Sequence, residues 1–425
     1  MKLKSNLILA TVFGAFAVLA TSCAKEEGCT DPTATNYNAD AEEDDGSCVY
    51  PEPEEGEVLV TSNISSDTEW TSDNVYILGG RITVLDGATL TINPGTIIKG
   101  QAGAGPNATA LLIARGGKLM ADGDPDLPII FTTIADEITP EQVAGGDFAS
   151  PNLDANTRGY WGGLIVLGKA PISASNEAGD DVSEVQIEGI PTSDQNGLYG
   201  GNEPGDNSGV LRHISIRHGG SNIGAGNEIN GLTLGGVGTG TVVENIEVVA
   251  NQDDGVEWFG GTVNASNIVV WNCGDDGLDT DQSWAGTVDN FVVSGVTGHC
   301  FELDGPEGSM QAGHTIMNGT VYASADGNNS EDLINVDDNS IVDLENIFIT
   351  NILESGQQVS EDDNVDLTTV SGVTFSNVLL DVPAADLGDY INGPAPAGIS
   401  AGGSGQADVS VFNGWTWAQQ AGVFQ

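Results

Sequence analysis

The stretch Asn245–Thr280, NIEVVANQDDGVEWFGGTVNASNIVVWNCGDDGLDT, states one pattern twice, the second pass beginning at Asn267. Each pass opens with Asn, alternates apolar residues (Ile246 and Val248, then Ile268 and Val270), turns at Asp-Asp-Gly, and resumes alternation at Val256-Glu257-Trp258 or Leu278-Asp279-Thr280. Period-two alternation marks strands, and two short strands per repeat of twenty-odd residues mark a solenoid. The pattern extends outward from there. Related segments begin at His213, Asn245, Asn267, Asn290, Asn318, Asn346 and Asn377, at intervals close enough to be one winding each. A second ladder follows, with Leu232, Val256, Leu278, Phe301 and Ile334 predicted to face inward and their neighbours outward.

Repeats in constant order predict an all-β parallel β-helix, a solenoid in which each coil stacks about 4.8 Å above the last. A sandwich or propeller also has many short strands, but does not place one Asn at the same corner of successive units. Those Asn residues are expected to stack and bond at the turns. The N-terminal half uses other words, RITVLDGATLTINPGTIIKG (81–100), ALLIARGGKLMADGDPDLPIIFTT (110–133) and RGYWGGLIVLGKAPI (158–172), with Gly and Pro at the corners. These stretches resemble the early coils of β-helix surface lipoproteins of Bacteroidetes that share the pectate-lyase-like fold. The resemblance spans Val58–Gln425 and implies the fold, a right-handed parallel β-helix, but not activity, because that fold hosts lyases, hydrolases, adhesins and scaffolds.

With 59 Gly, 16 Pro and few aromatics, the composition agrees with short strands and turns. Eleven Lys and Arg oppose 62 Asp and Glu, a formal charge of −51, and no Lys or Arg follows Arg217. That charge repels polyanions, which excludes nucleic acid and an electrostatically bound lipid surface as partners.

Positions 1–22 read as an export signal, with Lys2 and Lys4 ahead of an apolar core from Leu7 to Ala20. LATSC ending at Cys23 resembles a lipobox, which implies lipidation of Cys23 and a membrane contact through that anchor only. The following CAKEEG resembles a sorting signal for outer-membrane lipoproteins displayed on the cell surface. Residues 23–50 resemble a small module akin to thrombospondin type 3 repeats. A segment that short cannot bury a core, so a Cys29–Cys48 staple is expected, with Asp40, Glu43, Asp44 and Asp45 as oxygen donors for calcium or as a solvated acidic surface. Residues 51–57, PEPEEGE, read as a stiff linker, and 58–425 as the β-helix.

Stacking places Glu257, Asp279 and Glu302 in one outward row, with Asp281, Asp304 and Asp337 beside it. Like charges about 5 Å apart repel by roughly 0.8 kcal/mol in water and roughly 3 kcal/mol at an effective dielectric of 20. Three conditions relieve this: full solvation, a shared proton, or a bound cation. The last points to calcium, with Asp275, Asp276, Asp279 and Asp281 as principal ligands and Asp253, Asp254, Glu257 and Glu302 around them. DDGLD (275–279) is similar to the calcium motif of one family of β-helix pectate lyases, which implies the same ion. Those enzymes also need a basic side chain to remove a proton, and only Lys169 or Arg217 on other coils could supply one. Glycoside hydrolysis needs two carboxylates alone, and Asp279, Asp281, Glu302 and Asp304 are the candidates. Phe259, Trp271, Trp284 and Tyr322 are expected to offer apolar faces to a sugar.

Cys273 and Cys300 are either buried thiols or a second disulfide between adjacent coils. His213 occupies the corner taken later by Asn, while His299 and His314 stand isolated, and no spacing suggests zinc. Phe412, Trp415, Trp417 and Phe424 are expected to cap the last coil. Val269, Val292, Phe348 and Leu379 form an apolar outward row, covered by the chain's own loops or by a partner. The expected protein is a monomeric, lipid-anchored, calcium-dependent binding or adhesion protein for glycans or surface proteins, with a carbohydrate-active hydrolase as the alternative.

Overall fold

A chain of short alternating strands, broken at each corner by Gly, Pro or Asn, closes its interior by winding round on itself. The computed structural model describes residues 26–31, 33–223, 228–337, 339–353, 357–359 and 372–424, and shows that winding as an all-β parallel β-helix. A long sheet of 15 strands runs from Glu57–Val60 to Ile399–Ala401. An eight-stranded sheet lies along another face, from Arg81–Val84 through Leu232–Gly235, Val256–Phe259, Leu278–Asp281 and Phe301–Leu303 to Asn335–Val336. The expected register holds, since Val256 pairs with Leu278 and Leu278 with Phe301, each one coil further on. Their side chains meet Ile246, Ile268, Phe291 and Ile347 from the other wall in one continuous core. Packing there is tight. Gly319 is the partner of Phe291 on the next coil, and a Cβ at 319 would lie 1.9 Å from the Phe291 ring.

The corner asparagines have a backbone cause. In the N-terminal half, Lys118–Asp122 and Ile129–Thr133 are separate strands that both pair with the single strand Gly209–Arg217. That strand bends at His213, whose φ of 48° lies in the left-handed region. On later coils the bend falls on Asn245, Asn267, Asn290, Asn318, Asn346 and Asn377, with φ between 53° and 63°. Asn tolerates this conformation better than other side chains do. Its amide also links coils: Asn267 donates to Asn245 at 2.9 Å, Asn290 to Asn267 at 2.8 Å and Asn377 to Asn346 at 3.1 Å. The ladder breaks between Asn290 and Asn318, where Asn290 Oδ1 accepts the Asp408 N–H at 2.7 Å instead.

That break is where the C-terminal segment crosses, and it corrects the expected cap. Phe412, Trp415, Trp417 and Phe424 do not cover the last coil. They lie along the outer face of the long sheet, over Val249, Val269, Trp271 and Val292. Apolar outward residues on that face offer more area to bury than one coil end does. Val269 and Val292 are thus fully buried by the chain itself, Phe348 nearly so, and Leu379 only half. The segment also reaches the N-terminal coils, where the Phe148 N–H donates to Gln420 Oε1 at 2.9 Å.

The outer face of the short sheet has its own cover. Residues 171–205 carry two small antiparallel pairs, Ala174–Ser175 with Asp181–Val182 and Val185–Gln186 with Leu198–Tyr199. Ile172, Ile187, Ile190 and Tyr199 pack from this insertion onto outward Leu112, Ile165, Leu167 and Phe259.

Cys29 and Cys48 are bonded. Their module is not held off by residues 51–57, because the Tyr50 hydroxyl lies 3.2 Å from the Ala102 carbonyl of the β-helix. The expected calcium donors Asp40, Asp44 and Asp45 do not converge. Asp45 accepts from the Ser47 N–H at 2.8 Å, and among the described residues the three-membered ligand groups all lie between Asp253 and Glu302. Cys23 and the export signal lie outside the described residues.

Candidate functional site

Three successive coils pass from the long sheet to the short one through a tight turn ending in Gly, at Gly231, Gly255 and Gly277. At Gly277 a Cβ would lie 2.6 Å from the Cys300 carbonyl, so no larger residue fits between the coils. The tightness stacks side chains directly above one another. Two residues before the first inward position of the short strand come Asn230, Asp254, Asp276, His299 and Asp332 on five successive coils. One residue after it come Thr233, Glu257, Asp279, Glu302 and Asn335. The two rows flank a band of carboxylates. Backbone groups tie the first row: the Asp276 N–H donates to Asp254 Oδ1 at 2.9 Å, and the His299 N–H donates to Asp276 Oδ1.

Oxygen or nitrogen donors of Asp253, Asp254 and Asp275 lie within 4.8 Å of one another, as do those of Asp254, Asp276 and Asp279, and those of Asp276, His299 and Glu302. Asp254 and Asp276 each belong to two of these groups, so the three form one connected site.

Full solvation is excluded as the remedy for repulsion, because Asp254, Glu257, Asp276 and Asp279 are buried. Nor does any Lys or Arg pair with them among the described residues; the one basic side chain in the band is His299, with Nδ1 3.2 Å from Asp276 Oδ1 and 3.7 Å from Glu302 Oε1. Burial, reinforced by neighbouring acids, holds Asp254, Glu257 and Asp279 well above the usual carboxylate range. It pushes Asp253 up to about 8, Asp275 to about 6 and Glu302 to about 11. Asp276 runs the other way. Burial opposes its charge, but His299 and Glu302 beside it outweigh that and keep it ionised. Burial also opposes a charged His299, and Asp276 raises it again. The band therefore holds protons it would release to a cation. Hard oxygen donors from Asp253, Asp254, Glu257, Asp275, Asp276, Asp279 and Glu302 fit calcium.

Other expected site residues stand elsewhere. Asp281 and Asp304 join none of the three ligand groups; Asp281 Oδ1 accepts the Gln282 N–H at 2.5 Å. The four expected sugar platforms are not exposed faces. Phe259 lies under the 171–205 insertion against Tyr199, their rings 6.0 Å apart. Trp271 and Tyr322 lie beneath the C-terminal segment, Trp271 edge-on to Trp417 at 5.6 Å. Trp284 turns inward and stacks on Trp258 at 4.9 Å. In each case an outward position is covered by chain remote in sequence, or a turn reverses the side chain. Cys273 and Cys300 are unbonded buried thiols, each pushed up to about 12 by burial. His213 is structural, its Nδ1 3.1 Å from the Gly123 carbonyl.

His299 was missed as a member of the site. It follows Asp276 at nearly the interval at which Asp276 follows Asp254, so the repeat spacing alone marked its place.

Residues 62–416 match a family described as a pectate-lyase like beta helix domain. Among curated proteins and among solved structures, nothing matches the chain.

Proposed function

Because the chain belongs to the pectate-lyase-like β-helix domain family, whose long lateral faces suit display better than a deep pocket, we propose that it is a surface-anchored, calcium-dependent binding protein for glycans or surface partners. One observation carries the reading: Asp254, Glu257 and Asp279 are buried carboxylates facing other carboxylates, with no lysine or arginine beside them among the described residues. A divalent cation supplies the missing charge. Its outer side is open, since Asp275 is exposed and Asp253, His299 and Glu302 are half-buried. A glycan would be held there by metal and hydrogen bonds to its hydroxyls, rather than by aromatic stacking. Anchoring through Cys23, surface display and a monomeric state complete the proposal.

The test is calcium titration of the chelator-treated full chain, followed by a glycan array with and without the ion. An unchanged melting temperature on adding calcium removes the reading. Protease shaving of intact cells checks display, since an inward-facing lipoprotein resists it.

A second reading, glycoside hydrolysis, is favoured by the outer carboxylates. Asp253, at about 8, keeps its proton at neutral pH while Asp275, at about 6, and Asp276 are ionised, the combination of acid and base that glycosidic cleavage uses. The pair thus moves outward from Asp279, Asp281, Glu302 and Asp304. Reducing-sugar release that is lost in Asp253→Asn or Asp275→Asn decides for it. A lyase lacks its base at this band: Arg217 is buried beneath the C-terminal segment with Glu247, and the Lys169 ammonium lies beside Gly116 and Asp86 of earlier coils.

A further inference from the structure

We propose that the site takes two metal ions of different chemical class: calcium at Asp254, Asp276 and Asp279, and a first-row transition ion of the zinc or manganese type at Asp276, His299 and Glu302, with Asp276 bridging them. This rests on the cation reading above and divides it.

The inner group is all oxygen. Asp279 is 7% exposed, a carboxylate oxygen of it lies within 4.8 Å of donors on Asp254 and Asp276, and its Oδ1 has no hydrogen-bond partner. A buried carboxylate oxygen without a partner has lost its hydration and gained nothing in return, so a ligand belongs there. Three carboxylates, with Glu257 adjoining Asp279, are hard donors suited to calcium, which does not draw on imidazole.

The outer group differs in its donors. His299 Nδ1 is buried and makes no aligned hydrogen bond, although Asp276 Oδ1 lies 3.2 Å away and Glu302 Oε1 3.7 Å away. Donors held about 2.05 Å from a tetrahedral ion stand about 3.3 Å apart. The observed separations bracket that value. Calcium, with about six to eight ligands at about 2.3–2.6 Å, sets neighbouring donors at a similar spacing, so it is the imidazole donor that distinguishes the two ions. Nitrogen with two carboxylates is a set that zinc and manganese accept. The far ring nitrogen is supported as a metal-bound histidine requires: Nε2 lies 3.4 Å from the Asn335 amide, and turning that amide over presents an oxygen to an Nε2–H. Side-chain exposures of 16% for His299 and 32% for Glu302 leave the solvent side of this ion open to water or a sugar hydroxyl.

The experiment is equilibrium dialysis of the chelator-treated full chain against Ca²⁺ alone, Zn²⁺ alone and both, read by elemental analysis. Co²⁺ then replaces Zn²⁺, so that its visible absorption reports the ligands. Expected are one equivalent of each ion together, a loss of roughly tenfold or more in Zn²⁺ affinity with calcium retained in His299→Gln, and the reverse in Asp279→Asn. The cobalt spectrum should change in His299→Gln and persist in Asp279→Asn, which keeps the test valid if either variant loses stability. Calcium binding with no zinc uptake, or zinc uptake indifferent to His299→Gln, overturns this proposal and leaves the calcium reading standing. Failure to bind either ion removes both.

Discussion

Glu247 and Glu257 lie close together in the sequence, each facing outward on its sheet and each buried, yet their surroundings are opposite. Glu247 lies 3.7 Å from Arg217, accepts from the Ser215 hydroxyl at 2.5 Å, and receives the Ala418 N–H at 2.8 Å from the C-terminal segment. Trp417 closes the arrangement, with the Arg217 guanidinium 5.1 Å from its ring centre. Glu257 has one amide donor, Asn230, and otherwise faces Asp254, Asp279, Asp281 and Glu188. One face carries its own countercharge and its own cover. The other carries only half of an ion pair. The comparison teaches that burial of acid is not in itself the signal of a site; burial of acid without an internal cation is.

The largest effect should come from breaking the self-sufficient face. Arg217→Met leaves Glu247 buried and unpaired, which costs about 3–5 kcal/mol in denaturant unfolding, and adding Glu247→Leu should recover much of it. In chelator Glu257 keeps its proton and has no cationic partner, so Glu257→Gln exchanges one neutral polar group for another and should change stability little. A Glu257→Gln variant that loses as much as Arg217→Met would erase the distinction between the faces.

Next in size is calcium itself. Ion at a hundred times its dissociation constant should stabilise the folded chain by about 2.7 kcal/mol, read as a rise in melting temperature. Protonation sharpens this. Asp253 titrates near 8 and Asp275 near 6 when folded, against about 4 in the unfolded chain. The folded state therefore holds protons that the unfolded state has released, a stabilisation complete below about pH 4 and lost as pH rises toward 8. In chelator the melting temperature should fall across that window, and calcium should flatten the fall. A chelated protein that gains stability between pH 4 and 8 would mean that these acids have countercharges after all.

The winding was legible in the sequence because Val256, Leu278 and Phe301 alternate at coil spacing, and the acid row was legible because Glu257, Asp279 and Glu302 share that spacing. What covers a face was not. Trp271 and Phe259 read as open platforms because nothing local shows that the 404–424 segment or the 171–205 insertion returns over them. Such cover is long-range, and no periodicity encodes it. Burial then moved the candidate carboxylates for hydrolysis from Asp279, Asp281, Glu302 and Asp304 to Asp253 and Asp275, and brought in His299, whose single imidazole carries no pattern of its own.

The smallest effect tests the corner that lets both faces exist. Asn267 is held at φ 58° and both donates to Asn245 and accepts from Asn290. Asn267→Ala places an ordinary side chain in the left-handed region, at about 1–2 kcal/mol, and also loses both ladder bonds. Asn267→Gly loses the same bonds without the strain, so it should cost less than alanine by about that amount, less the roughly 0.5–1 kcal/mol of backbone entropy that glycine forfeits. Equal losses in the two variants would mean that the amide ladder alone fixes the corner and that the positive φ carries little cost. Because Asn290 also takes the Asp408 N–H, Asn290→Gly should exceed Asn267→Gly, and the excess measures how firmly the C-terminal segment is fastened to the ladder it interrupts.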